Sequence, residues 1–237
     1  MYKMTEPTRQ ILARIAEASY GSGSIPNYER DTTLSSPDIG VYRNGNVVVI
    51  AHRGTDVNSP TIGKQLTADF KILLGNKKGD TLHRQRGKKT EDIIRKLRAT
   101  SPDDKIYLVG HSLGGSSGQN AMTRPYVRAN VEKFNSFNAG SSILGGKELA
   151  PSGKAYQEIA KKSVHHHIKG DRISENVDKS MIGRVIKYNS KVKPSISKQL
   201  FDLAKPLLEK SKLGAVASLA GENIFDTLNA HSLKNFY

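Results

Sequence analysis

Hydrophobic positions change period several times along the chain, and each change marks an element. Between residues 7 and 20, Ile11, Leu12, Ile15 and Ala16 recur at helical spacing, and Gly21 follows as a stop signal. Residues 22–36 are mostly polar and predict a loop. Residues 39–43 and 47–51 predict two strands joined across Asn44-Gly45, a strong hairpin signal. The second strand, Val-Val-Val-Ile-Ala, is apolar throughout, as in a strand covered on both faces. Residues 65–74 and 90–99 predict helices, the latter capped by Thr90 with Glu91 and Asp92 in its first turn. A strand at 105–110, a helix at 114–122 and a strand at 132–138 follow. The pattern then predicts a helix at 156–162 and strands at Ser163–Ile168 and Arg184–Tyr188. Residues 196–213 form a basic amphipathic helix pattern broken or kinked at Pro206.

Strands thus alternate with helices after an amino-terminal antiparallel hairpin. That order predicts an α/β fold, a mostly parallel central sheet with helices on both faces. No linker, repeat or low-complexity block divides the 237 residues, so a single domain spanning 1–237 is expected. At 36% hydrophobic and 25% charged residues the chain is lean in apolar matter, yet it is long enough to bury a core without a disulfide or metal. Cysteine is absent, which excludes disulfides and a thiol nucleophile and fits a reducing compartment. No stretch approaches the roughly 20 apolar residues that span a bilayer. Residues 1–10 lack the apolar core of a secretory signal, so a soluble intracellular protein is expected. The net charge of +15 favours anionic partners, with basic residues spread over 77–89, 161–162 and 187–212 rather than gathered in one tail. No zinc-ligand, helix-turn-helix or RNP-like motif accompanies that charge, so specific nucleic-acid binding is not expected.

The candidate chemistry lies in Gly110-His111-Ser112-Leu113-Gly114. This pentapeptide follows the buried-type strand Ile106-Tyr107-Leu108-Val109 and leads into a helix rich in small residues. A serine at that junction sits on a tight turn with strained backbone angles, and Gly110 and Gly114 lack side chains that would collide there. The helix amino terminus then directs free N–H groups at the reacting centre, with the N–H of Leu113 as one oxyanion donor. A phosphate-binding loop is a weaker reading, because no Lys-Ser or Lys-Thr follows the glycines in the required place.

Four segments, taken in order, resemble the class 3 lipases. Val48 to Thr55 is similar to that family's strand ending in Phe-Arg-Gly-Thr, and Val109 to Gly115 to its nucleophile motif. Ile168-Lys169-Gly170-Asp171-Arg172-Ile173 is similar to the strand end bearing its acid, and His231 to Phe236 to its late histidine segment. The resemblance implies an α/β-hydrolase fold and a Ser112-His231-Asp171 triad in the chain order Ser, Asp, His. It also implies an oxyanion hole built from Thr55 and Leu113. Residues 57–74 would form a lid or acyl pocket, or else simply a helix covering the core. Three departures stand out: His52 replaces the common Phe before Arg-Gly, the helix after Ser112 is unusually polar, and tryptophan is absent.

In such a triad His231 takes the serine proton and Asp171 fixes the histidine tautomer. Asp178 rivals Asp171, which is preferred because it leaves a strand through a glycine. His83, His111 and the triplet His165-His166-His167 rival His231. The side chain of His111 should point away from Ser112, and strand alternation should send His165 and His167 to one face and His166 to the other. Two imidazoles alone make a poor metal site, so neither metal nor cofactor is expected. The expected activity is hydrolysis of carboxylic esters, lipase or esterase in type and extending to phospholipid acyl esters. Transient contact with an anionic membrane surface would suit the positive charge. The alternative is a catalytically weak scaffold of the same fold kept for binding or structure.

Overall fold

Alternation within one apolar strand decides the layering. In β3 (Val47–His52) every residue is buried. Val47, Val49 and Ala51 join one core cluster, while Val48 and Ile50 join another on the opposite face. The computed structural model describes residues 6–21, 24–54, 77–140, 153–171, 174, 181–191 and 232–237. Its elements in chain order are α1 (Arg9–Ala18), β1 (Glu29–Arg30), β2 (Ile39–Asn44), β3, α2 (Lys77–Thr100), β4 (Lys105–His111), α3 (Leu113–Thr123), α4 (Pro125–Asn130), β5 (Val131–Phe137), α5 (Lys154–Lys162), β6 (Ser163–Ile168) and β7 (Arg184–Tyr188), followed by a 3-10 turn at Leu233–Phe236.

The seven strands form one sheet in the order of the chain. The first three pair antiparallel, and β3 through β7 pair parallel. This is the expected hairpin leading into a mostly parallel sheet. The hairpin turns at Gly45, whose φ of 55° a side chain would resist. One face of the sheet is covered by α1 and the turn at Leu233–Phe236, with Phe137 and Phe236 fully buried between them. The other carries α2, α3 and α5 over Ile106, Leu108 and Phe134, with Ile94, Leu97, Met122 and Ile159 as the covering side chains. Helix α1 starts where the Thr8 hydroxyl accepts the Ile11 N–H at 3.3 Å. It buries Leu12, Ile15 and Ala16 as its spacing predicts.

Three elements differ from the expectation. Strand β1 lies inside the segment read as a loop; its two residues are charged and exposed, so no apolar pattern marks it. Helix α4 was missed because it is six residues long and buries only Val127. Helix α2 runs 24 residues rather than ten, which places Thr90 in mid-helix instead of at a cap. Its hydroxyl donates to the Arg86 carbonyl one turn back at 2.9 Å. The helices expected at 65–74 and 196–213 and the lid segment 57–74 lie outside the described residues. Among the described residues no helix is long and apolar enough to cross a membrane.

Candidate active site

Register brings the carboxyl ends of the parallel strands side by side. His52 pairs with Gly110, His111 with Phe137, and Phe137 with His166. The residues that follow β3, β4, β5 and β6 therefore leave along one edge, where parallel α/β sheets display their chemistry.

Ser112 leaves β4 with φ 53° and ψ −127°, a conformation a non-glycine residue adopts only where its surroundings impose it. The surroundings are visible. Its N–H donates to the Phe137 carbonyl at 3.1 Å, and its carbonyl accepts from Gly115 at 2.9 Å and from Gly140 at 3.2 Å. Its hydroxyl does not cap α3. Leu113 is the first residue of that helix, the position expected of an oxyanion donor. The turn closes because Gly114 has no side chain, since a Cβ there would collide with the His52 carbonyl. A backbone group cannot swing aside, so Gly114→Ala should cost about 1–3 kcal/mol or more, measurable as a lowered urea midpoint.

The end of β3 reaches the same turn. A Cβ on Gly54 would lie 2.6 Å from the His111 carbonyl and 3.2 Å from the Ser112 Cβ, so glycine is what lets the two strand ends meet. Thr55, the next residue, lies outside the described residues. His52, the departure from the family's phenylalanine, is fully buried facing α2, and its Nε2 pairs with the Thr90 hydroxyl at 2.8 Å. Because the Thr90 hydroxyl donates to the Arg86 carbonyl, it accepts from the imidazole Nε2–H, so the neutral ring is the Nε2–H tautomer. Burial, with Arg86 and His83 nearby, pushes its pKa down to about 3.

Asp171 is fully buried and directly follows Gly170, which takes a φ of 86° in the turn after β6. The Ser174 hydroxyl donates to its Oδ2 at 2.8 Å. Between β4 and β6 sits Asn138, at φ 43°, whose N–H donates to the His166 carbonyl at 2.8 Å and whose Oδ1 accepts the Ile168 N–H at 2.9 Å. Asn138 thus ties the strand beside Ser112 to the strand that presents Asp171. His231 and Asp178 lie outside the described residues. The segment just after His231 does not hang free. The Asn235 Oδ1 accepts from Ser190 at 3.0 Å and from the Lys191 N–H at 2.8 Å, just past the end of β7.

Four of the rival histidines, His83, His111, His165 and His166, hydrogen-bond to side chains other than Ser112. His111 pairs through Nδ1 with the Tyr20 hydroxyl at 2.8 Å, and His83 Nδ1 pairs with the Ser117 hydroxyl at 2.9 Å. His165 meets Ser136 on the α2 face of the sheet, while His166 meets Asn135 and Tyr188 on the α1 face, the alternation the sequence predicts. No group of three or more His, Cys, Asp or Glu that could hold a metal ion occurs among the described residues. Sequence reading missed Tyr20, Asn138 and Ser174. Only Ser174 leaves a local signal, a hydroxyl three residues after the acid.

No protein-family model matches the chain, and no curated protein matches it by sequence. Among solved structures it is similar to lipase II from Rhizopus niveus, with a TM-score of 0.51 and 13% identity over 73% of this chain and 74% of that one. It is also similar to a lipase from Rhizopus microsporus var. chinensis (TM-score 0.49, 14% identity, 73% and 70% covered). A lipase from Yarrowia lipolytica is a third (TM-score 0.48, 13% identity, 79% and 80% covered). Identity this low speaks to fold. With the first of these likenesses added to the seven-stranded sheet and the strained serine turn, the chain has the α/β-hydrolase fold of the fungal lipases.

Proposed function

We propose that this chain is a serine carboxylic-ester hydrolase of lipase or esterase type, acting through Ser112, His231 and Asp171. The observation that carries the reading is the backbone of Ser112, held at φ 53° between a buried strand and a helix amino terminus. Strain of this kind is retained where it presents a reactive side chain. Three further features support the reading: the Gly54 backbone lies against that turn, Asp171 is buried on the same sheet edge, and the chain after His231 is anchored beside β7.

In the proposed reaction the Ser112 Oγ attacks the ester carbonyl carbon while His231 takes its proton. The carbonyl oxygen becomes an oxyanion held by the backbone N–H groups of Leu113 and Thr55. Each such donor contributes roughly 3 kcal/mol to the transition state. Collapse breaks the carbon–oxygen bond of the leaving alcohol, which departs with the proton from His231 and leaves an acyl group on Ser112. Water then attacks the acyl-enzyme by the same route in reverse. Asp171 keeps the imidazole in the working tautomer and stabilises its charged form. A net charge of +15 favours acyl esters presented on an anionic surface, phospholipids included.

A fluorophosphonate probe tests this reading. The wild type should label at Ser112, and Ser112→Ala should abolish labelling and lower ester hydrolysis by about 10⁴-fold or more. A wild type that does not label, or a Ser112→Ala variant that labels equally, sinks the catalytic reading and leaves a binding scaffold.

A further inference from the structure

Helix α2 grips the exit of β3 through a buried cation. Arg86 is only 6% exposed. Its Nη1 donates to the Arg53 carbonyl at 2.7 Å and approaches the Ser117 hydroxyl on α3 at 3.4 Å, while Nη2 meets Asp38 at 3.5 Å. Arg53 is fixed from its other side as well, since its N–H donates to the Asp38 carbonyl at 2.9 Å. Because the peptide unit is planar, fixing the Arg53 carbonyl also fixes the direction of the Gly54 N–H, one peptide before the N–H of the proposed donor Thr55. Gly54 is the residue on which a Cβ would lie 3.2 Å from the Ser112 Cβ. Ser117 belongs to the same assembly, donating to the Leu113 carbonyl at 3.1 Å within the first turn of the nucleophile helix.

A guanidinium withdrawn from water costs several kcal/mol, so the fold bears that cost only where its hydrogen bonds are specific. An apolar side chain would pack between α2 and the sheet more cheaply. What it could not do is hold a backbone carbonyl at the point where two strand ends converge on the reactive turn.

We propose that Arg86 is a positioning residue, which sets the Arg53–Gly54 peptide, and with it the oxyanion side of the site, against the Ser112 turn. The proposal rests on the serine-hydrolase reading above. Displacement of an oxyanion donor by about 1 Å costs on the order of 10²-fold in rate, so the effect should be large and confined to the transition state.

The test compares a short-chain p-nitrophenyl ester with its thiono analogue, whose C=S is a poorer hydrogen-bond acceptor and draws less from an oxyanion hole. In Arg86→Met, kcat on the oxygen ester should fall about 10–100-fold with KM within about twofold. The oxygen-to-sulfur rate ratio should fall with it, because the lost interaction is one the thiono ester hardly uses. Arg86→Lys keeps the charge without the fork and should recover part of both. Thr90→Val breaks the neighbouring tie to His52 without touching the Arg53 carbonyl. It should lower the melting temperature while leaving the rate ratio at the wild-type value. A folded Arg86→Met with an unchanged ratio overturns the Arg86 assignment alone. If that variant does not fold, an unchanged kcat and ratio in Arg86→Lys overturn it instead. A wild type that neither labels at Ser112 nor hydrolyses the ester removes the hydrolase reading and this inference together.

Discussion

Lowering the pH from 7 to 5 is expected to remove about 4 kcal/mol of folding stability, before most carboxylates titrate. Two buried imidazoles account for it. Burial pushes the pKa of His52 down to about 3, and burial together with the charges of Arg9 and Arg184 does the same to His166. Both rings are hydrogen-bonded in the neutral form, His166 between Asn135 and Tyr188 at 3.0 Å each and His52 against Thr90. The unfolded chain titrates near 6.5, so below that pH it binds protons that the native state refuses, and stability falls with pH. The contribution is intact above about 6.5 and erodes continuously toward the folded value near 3. At pH 5 each group has crossed roughly 1.5 units, or about 2 kcal/mol. Urea unfolding at the two pH values measures the loss. In His166→Gln the difference between pH 7 and pH 5 should shrink by about 2 kcal/mol, whatever that variant's absolute stability. A difference below about 1 kcal/mol in the wild type contradicts neutral burial of the two rings.

Phe236→Ala should destabilise the protein by about 3–5 kcal/mol. The ring is fully buried and meets Phe137 edge-on with centroids 4.9 Å apart and Tyr188 at 5.9 Å. Its removal leaves a cavity between α1 and the sheet that side-chain hydrogen bonds on both sides keep from collapsing. The Tyr237 hydroxyl bonds to Glu17 of α1 and Asn235 bonds to the segment after β7, so the loss reaches α1 as well as the tail. For a chain of this size the melting temperature should drop by on the order of 10 °C. Ester hydrolysis should fall further than stability alone requires, because this turn holds the chain that follows His231. Phe236→Leu should restore more than half of the melting temperature. A shift under about 2 °C in Phe236→Ala would mean that the tail is not packed as described.

The parts of the fold legible in the sequence are those where one physical cause sets the pattern. Strands β6 and β7 match their expected bounds because Lys161-Lys162 and Lys169-Gly170 flank the first, and Gly183 and Asn189-Ser190 the second. The Ser112 turn is legible because its backbone tolerates glycine and little else at the flanking positions. The first half of α2 is hidden because its buried face is polar. His83, Arg86 and Thr90 do there what leucines would do elsewhere, and Gly87 reads as a breaker. Thr90 reads as a cap because a hydroxyl before an apolar run signals a helix start, whereas its tertiary partner is His52, 38 residues away in sequence. Arg86, Asn138 and Tyr20 act through contacts with no fixed spacing, so no local rule could have found them.

The sheet ends, among the described residues, in two edges that manage their own exposure. Strand β1 is only two residues long and wholly charged, and β7 turns Arg184 and Lys187 outward. Such edges are poor templates for a strand from another copy of the chain. The run most apt to aggregate, Val47–His52, is paired on both sides in the interior of the sheet, two strands in from the β1 edge. Among the described residues, protection against edge-to-edge pairing is therefore written into the strand order itself, independently of the repulsion that a large net positive charge supplies.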